Sequence, residues 1–182
     1  MVLFFFITFC NLNELKGMVV NMKKLKLHLE RCSGCKRCEL ECVTEHSDSK
    51  SYIGTVLAQQ EPITRIFVEA FSEKPVPLVC RHCKEALCIS ACMTGCMQKD
   101  PETGVVANMG HEQKCVGCWM CIMACPYGVI NPSFNNADNT GNSQGFASAV
   151  KCDFCPDRKN PACADGCPNE VIEVVNIQEN SI

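Results

Sequence analysis

No stretch of this sequence is long enough and apolar enough to cross a bilayer. The apolar run at its start, Val2 to Phe9, covers eight residues, where a membrane-spanning helix needs about 20. That run has no basic residues ahead of it, no small-x-small cleavage site and no twin arginine, so it does not read as an export signal. Residues 1–22 are read as an N-terminal extension, either an upstream start ahead of Met22 or a docking tail, and a cytoplasmic, reducing location is expected. There is no catalytic triad, no paired-carboxylate site and no phosphate-cradling glycine loop, which leaves no group of residues to which substrate chemistry can be assigned. Positive charge is not in excess either. Seventeen Lys and Arg against twenty Asp and Glu give a formal charge of −3, and no basic helix suited to reading DNA is visible, which argues against nucleic acid as a partner. A chain of 182 residues with 47% hydrophobic content is otherwise ordinary for one compact body.

What the sequence has in abundance is cysteine, eighteen in all. In a reducing compartment so many cysteines read as metal ligands rather than disulfides. Sixteen of them fall into four groups: Cys32, Cys35, Cys38, Cys42; Cys80, Cys83, Cys88, Cys92; Cys115, Cys118, Cys121, Cys125; and Cys152, Cys155, Cys163, Cys167. Between the groups the chain reads as short strands and turns. Lys24 to Glu30 alternates, with Leu25, Leu27 and Leu29 on one face. Ile63 to Glu69 and Val171 to Ile177 are rich in β-branched residues and also read as strands. Asp100-Pro101-Glu102-Thr103-Gly104 is a turn before Val105-Val106, and Asn131 to Gly145 reads as a surface loop. No long amphipathic helix is present. Short helices are expected to begin near each group's third cysteine and to carry the fourth.

Group three, Cys115-x2-Cys118-x2-Cys121-x3-Cys125-Pro126, matches the bacterial ferredoxin run for [4Fe–4S] binding letter for letter. Group one has the same spacing without the proline; groups two and four lengthen the loop before the third ligand and keep the opening C-x2-C and the closing C-x3-C. Zinc is the alternative, since C-x2-C is also half a zinc knuckle, but zinc takes two such pairs per ion and here each group offers up to four ligands. The x3-then-x2 spacing of radical enzymes is absent. With four clusters bound, each site adds about −2, and the charge of the loaded protein is about −11.

In the ferredoxin run the fourth cysteine leads away from its own loop and completes the other cluster of a pair. Applied here, Cys80, Cys83 and Cys88 share a cube with Cys125, and Cys115, Cys118 and Cys121 with Cys92. The outer pair then joins Cys32, Cys35 and Cys38 with Cys167, and Cys152, Cys155 and Cys163 with Cys42. Cys96 reads as a buried small hydrophobe or an alternative ligand, and Cys10 has no role. Lys36, Arg37, Arg81, Lys84, Lys114, Lys151, Arg158 and Lys159 lie in or beside the groups, where positive charge raises a cluster's potential. His82 is read as hydrogen-bonding behind the ligands rather than as a ligand. Trp119, Met120, Ile122 and Met123 are expected to shield the third group from water.

Four groups in this order, with Cys80-Arg-His-Cys83-x4-Cys88 second and Cys152-Asp-Phe-Cys155-Pro fourth, resemble the four-cluster iron–sulfur subunits of the dimethyl sulfoxide reductase family. The sequence departs from that family at Met93, where proline is usual, and at Cys96, commonly alanine. The resemblance is strongest to the small kind that partners nickel carbon monoxide dehydrogenase and to the subunits of formate hydrogenlyase. It implies an α+β fold of two interlocked bacterial ferredoxin-like modules with short helices and short antiparallel strands. Residues 80–125 form the inner module, and residues 23–79 with 126–182 form the outer one. It also implies a one-electron relay through four [4Fe–4S] clusters, with no substrate site of its own, from carbon monoxide dehydrogenase to a hydrogenase or flavoprotein. The runner-up is the electron-transfer subunit of a molybdenum or tungsten formate or aldehyde oxidoreductase, and a redox sensor or cluster scaffold is the reading from another class.

Overall fold

The computed structural model describes residues 20–57, 63–108, 114–133 and 148–179. Cys10 and the run from Val2 to Phe9 lie outside the described residues, as does most of the stretch from Asn131 to Gly145. In chain order the elements are β1 (Val20–Leu27), α1 (Arg37–Glu45), α2 (Tyr52–Leu57), β2 (Ile66–Phe71), β3 (Lys74–Val79), α3 (Leu87–Ser90), β4 (Met97–Lys99), β5 (Val106–Asn108), α4 (Met120–Ala124), β6 (Asn131–Ser133), β7 (Ser148–Val150), α5 (Ala162–Asp165) and β8 (Ile172–Glu179). No helix among the described residues is long and apolar enough to cross a membrane.

The strands pair as four antiparallel two-stranded ribbons, β1 with β8, β2 with β3, β4 with β5 and β6 with β7. Three of them join neighbours in the chain. The fourth, β1 with β8, runs from Val20 opposite Glu179 to Leu27 opposite Ile172 and so ties residue 20 to residue 179. Leu25 and Leu27 turn inward from β1 as their alternation requires. The strand ends there, however: Leu29 sits in a single 3-10 turn over Leu29–Arg31 and is half exposed. The ribbon also begins at Val20, inside the stretch assigned to the extension, and Met22 is buried against Gly104, whose φ of +69° and close approach to Met22 leave no room for a Cβ.

Each expected short helix starts at or just before a third cysteine, Cys38 in α1, Cys88 in α3, Cys121 in α4 and Cys163 in α5. Only α1, the longest at nine residues, also carries its fourth cysteine; the other helices stop before Cys92, Cys125 and Cys167. Three elements depart from the sequence reading. The strand expected at Ile63 begins at Ile66. Its partner β3 contains Pro75 and Pro77, which face Ala70 and Val68; proline is tolerated because a two-stranded ribbon leaves an open edge where no N–H is needed. Asn131–Ser133, read as loop, forms β6 against β7, and its Ser133 is buried opposite Ser148.

The cysteines themselves form much of the core. One cluster of buried side chains joins Ile66, Val68, Val79, Val129, Val171 and Ile172 to the thiols of Cys38, Cys42, Cys80, Cys152 and Cys163. A second joins Met97, Val106, Ile130 and Ala149 to Cys121. Helix α1 packs on α5, and α3 on α4, so groups one and four face each other, as do groups two and three.

Candidate metal centres

The four cysteine loops share a backbone feature that spacing alone does not reveal. The residue just before each group's second cysteine has a positive φ: Gly34 at 72°, His82 at 44°, Gly117 at 66° and Phe154 at 69°. Glycine takes this conformation freely, whereas His82 and Phe154 take it at a cost of roughly 1–2 kcal/mol each. This left-handed residue turns the chain between the first two thiols. In groups one and three a second one, Lys36 or Trp119, follows the second cysteine directly and opens the helix. Gly34 also lies under the β2–β3 hairpin, where a Cβ would stand 3.1 Å from that of Pro75.

Among the described residues all seventeen cysteines are free thiols. Cys32, Cys35 and Cys38 line a cavity with Cys167, which comes from beyond α5. A second cavity, of about 190 Å³, is lined by Cys80, Cys83 and Cys88 together with Cys125 of group three. Burial pushes the Cys163 thiol well up, and Cys152, Cys42 and Cys155 around it push it further. Burial raises Cys155 to about 11, with Asp153 and Cys42 adding to it. Cys121 is raised to about 11 by burial and then by Cys115 and Cys92, and Cys38 to about 11 by burial, with Glu39, Cys167 and Cys35 adding. Each group's fourth thiol thus lies among the first three of another group. The inner surroundings disfavour ionisation, so these thiols stay protonated until a cation is present to hold them as thiolates, the form that binds metal.

Cys92 and Cys96 lie together at the end of group two. Their sulfurs are 3.6 Å apart. Burial opposes ionisation of Cys92, but the Met97 N–H and the Thr94 and Cys96 side chains outweigh it and lower the thiol to about 7. Cys96 is buried and is pushed up to about 12, with Asn108 Oδ1 at 3.5 Å to accept its proton.

Of the basic residues beside the groups, Lys151 is the buried one, its Nζ donating to the Val106 carbonyl. Lys36, Arg37 and Arg158 lie in ion pairs with Glu39, Glu41 and Glu45, and Arg81 stacks over the Tyr127 ring at 4.5 Å. The side chains expected to shield group three divide: Trp119 and Ile122 pack into the core, whereas Met120 and Met123 face outward, Met123 being 82% exposed. A five-residue helix buries one face only, and that face is taken by Cys121 and Ile122.

Sequence reasoning missed the half-buried network that joins groups one and four. His46, one turn after Cys42, donates from Nδ1 to the Cys42 carbonyl at 2.7 Å and from Nε2 to Asp153 Oδ1 at 3.1 Å. Arg65 pairs with the other carboxylate oxygen of Asp153. The ligand atoms of His46, Asp153 and Cys155 lie within 4.8 Å of one another, but the Arg65 cation already neutralises that carboxylate. The signal available in the sequence was an aspartate between two loop cysteines.

His82 bears on whether these residues fit an iron–sulfur cluster. Its side chain is 1% exposed, its Nδ1 accepts the Val106 N–H at 2.9 Å, and its Nε2 is buried with no partner. Burial, then Lys151 and Lys24, lowers its pKa to about 3. A neutral imidazole with an orphaned N–H on the wall of a four-thiol cavity fits a group that brings hydrogen-bond acceptors of its own, as sulfide does.

The pattern of the 4Fe-4S dicluster domain matches residues 73–177. An iron-sulfur protein of Rhodospirillum rubrum is 33% identical over 155 residues, covering 81% of this chain and 79% of its own. The electron transport protein HydN of Escherichia coli strain K12 is 33% identical over 152 residues, covering 80% and 83%. The arsenate respiratory reductase iron-sulfur subunit ArrB of Shewanella sp. strain ANA-3 is 29% identical over 198 residues, covering 85% and 78%.

Proposed function

This chain belongs to the 4Fe-4S dicluster domain family, and from that membership we propose that it is an iron–sulfur electron-transfer subunit that relays single electrons through four [4Fe–4S] clusters. The observation that carries the reading is the crossed meeting of four cysteine groups, in which each fourth thiol lies among the first three of another group. Cys32, Cys35, Cys38 and Cys167 hold one cluster, and Cys152, Cys155, Cys163 and Cys42 the next. Cys80, Cys83, Cys88 and Cys125 hold the third, and Cys115, Cys118, Cys121 and Cys92 the fourth. The packing of α1 on α5 and of α3 on α4 supports two interlocked modules, residues 80–125 within and residues 23–79 with 126–182 around them.

A [4Fe–4S] cluster, when bound, supplies a site that takes and gives one electron with little rearrangement. The chain's own part is to hold the thiolates, exclude water and set the local charge. Group four does the second most completely, since Cys152, Cys155 and Cys163 are all buried, whereas Cys35 of group one and Cys118 of group three are exposed. The exposed thiols suit the two ends of a relay, where partners dock, and the buried ones its interior.

The donor is carbon monoxide dehydrogenase and the acceptor a hydrogenase or flavoprotein, on the resemblance of the cysteine pattern. Relatives named as an electron transport protein and as a reductase subunit support the subunit role. The test is anaerobic purification with the native partner. About sixteen iron atoms per chain are expected from four cubes of four, with reduction by carbon monoxide only when the dehydrogenase is present. Zinc in place of iron sinks the reading, and reduction by formate or an aldehyde through a molybdenum or tungsten subunit moves the partner to the runner-up.

A further inference from the structure

His82 lines the second cavity with a buried ring of which one nitrogen is bonded and the other has no partner. Its Nδ1 accepts a backbone N–H from Val106, so as a neutral imidazole it carries its proton on Nε2. That Nε2–H has no acceptor in the protein. A buried donor left unmade destabilises the fold, and this one sits on a residue that also holds a φ of 44°. Two costs at one position call for a compensating partner. Phe154 packs on the ring at 5.3 Å between centroids, and the His82 backbone is held by Lys24 Nζ donating to its carbonyl at 2.7 Å and by its own N–H donating to Cys80 Sγ at 3.4 Å. The cavity beside it is lined by Cys80, Cys83, Cys88 and Cys125.

We infer that His82 donates its Nε2–H to a sulfur of the cluster held in that cavity and thereby raises the cluster's reduction potential. The inference rests on the proposal that these four cysteines bind a [4Fe–4S] cluster. A hydrogen bond to sulfur withdraws charge from the cluster and stabilises the reduced, more negative state. The strained backbone at position 82 is then the cost of aiming this side chain, where groups one and three use glycine.

The test compares the anaerobically prepared full chain with His82→Phe, which keeps a ring and removes the donor, and His82→Gln, which keeps a side-chain N–H. Redox titration followed by electron paramagnetic resonance is expected to show one midpoint potential displaced to more negative values in His82→Phe and restored toward wild type in His82→Gln. Labelling histidine with nitrogen-15 adds a readout that does not depend on how the Phe variant folds. A nitrogen coupling to a reduced cluster is expected in the wild type and is lost in His82→Gln, while His46, near Cys42, is untouched. Full iron content with no shift in His82→Phe, or a set of nitrogen couplings in His82→Gln identical to that of the wild type, in which His46 beside Cys42 Sγ also contributes, overturns the inference and leaves the cluster reading standing. Absence of any cluster signal in the wild type overturns both.

Discussion

His46 donates from both ring nitrogens, to the Cys42 carbonyl on its own helix and to Asp153 in the group-four loop, and only the imidazolium can do both. Burial pulls its pKa down, but the bonds to Asp153 and Cys42 outweigh that and raise it from 6.5 to about 9. A group raised in the folded state stabilises fully below its unfolded value and loses that contribution as pH climbs through the folded one. The stability gap between wild type and His46→Gln is therefore expected to be on the order of 2–3 kcal/mol at pH 6 and to close as the pH passes about 9. Anaerobic thermal unfolding across pH 6 to 10 measures it, and a gap that does not change over that range contradicts the imidazolium assignment. Legibility at this scale was uneven. Cysteine spacing marks the sixteen thiols because the chemistry demands near neighbours in the chain. His46, Arg65 and Asp153 meet across 107 and 88 residues, and nothing local in the sequence announces such a meeting.

At the level of elements, the four loops repeat one conformation although their sequences differ, with a left-handed residue ahead of the second thiol each time. Gly34→Ala is expected to destabilise by about 1–2 kcal/mol, from the φ penalty alone, and by more if Pro75 at 3.1 Å cannot give way. Urea unfolding of the loaded protein under argon measures the loss, and an unchanged midpoint shows that the turn is not constrained. The sequence made the short helices legible because each begins at a thiol whose spacing is fixed. It made β1 and β8 legible through alternation and β-branching. It hid β3 behind its prolines and β6 behind Asn131 and Pro132, since composition reports average preference while a two-stranded edge tolerates what a central strand does not.

For the molecule as a whole, α1 meets α5 and β1 meets β8, so groups separated by more than a hundred residues are packed together. On the proposed pairing, Cys167→Ser disturbs the cluster of Cys32, Cys35 and Cys38 and leaves the one of Cys152, Cys155 and Cys163 with its four thiolates. Iron content and cluster spectra of the variant distinguish this from the uncrossed arrangement, in which the group-four cluster is the one lost. The two-group facing was legible as a rule inherited from the ferredoxin run; the hairpin over Gly34 and the histidine–phenylalanine contact between groups two and four were not, because they depend on where loops of unequal length come to rest. The β1–β8 ribbon also sets a timetable for biosynthesis. A ribosome adding roughly 5–20 residues per second delivers Cys38 well before the other end of the ribbon, and Cys167 follows 129 residues later, roughly 6–26 seconds on at those rates. Under the same pairing, the first cysteines to emerge from the exit tunnel are among the last to be closed, while residues 80–125 find all their ligands within one short burst of translation. On that pairing the inner half can be loaded with iron before the outer half has its last ligand.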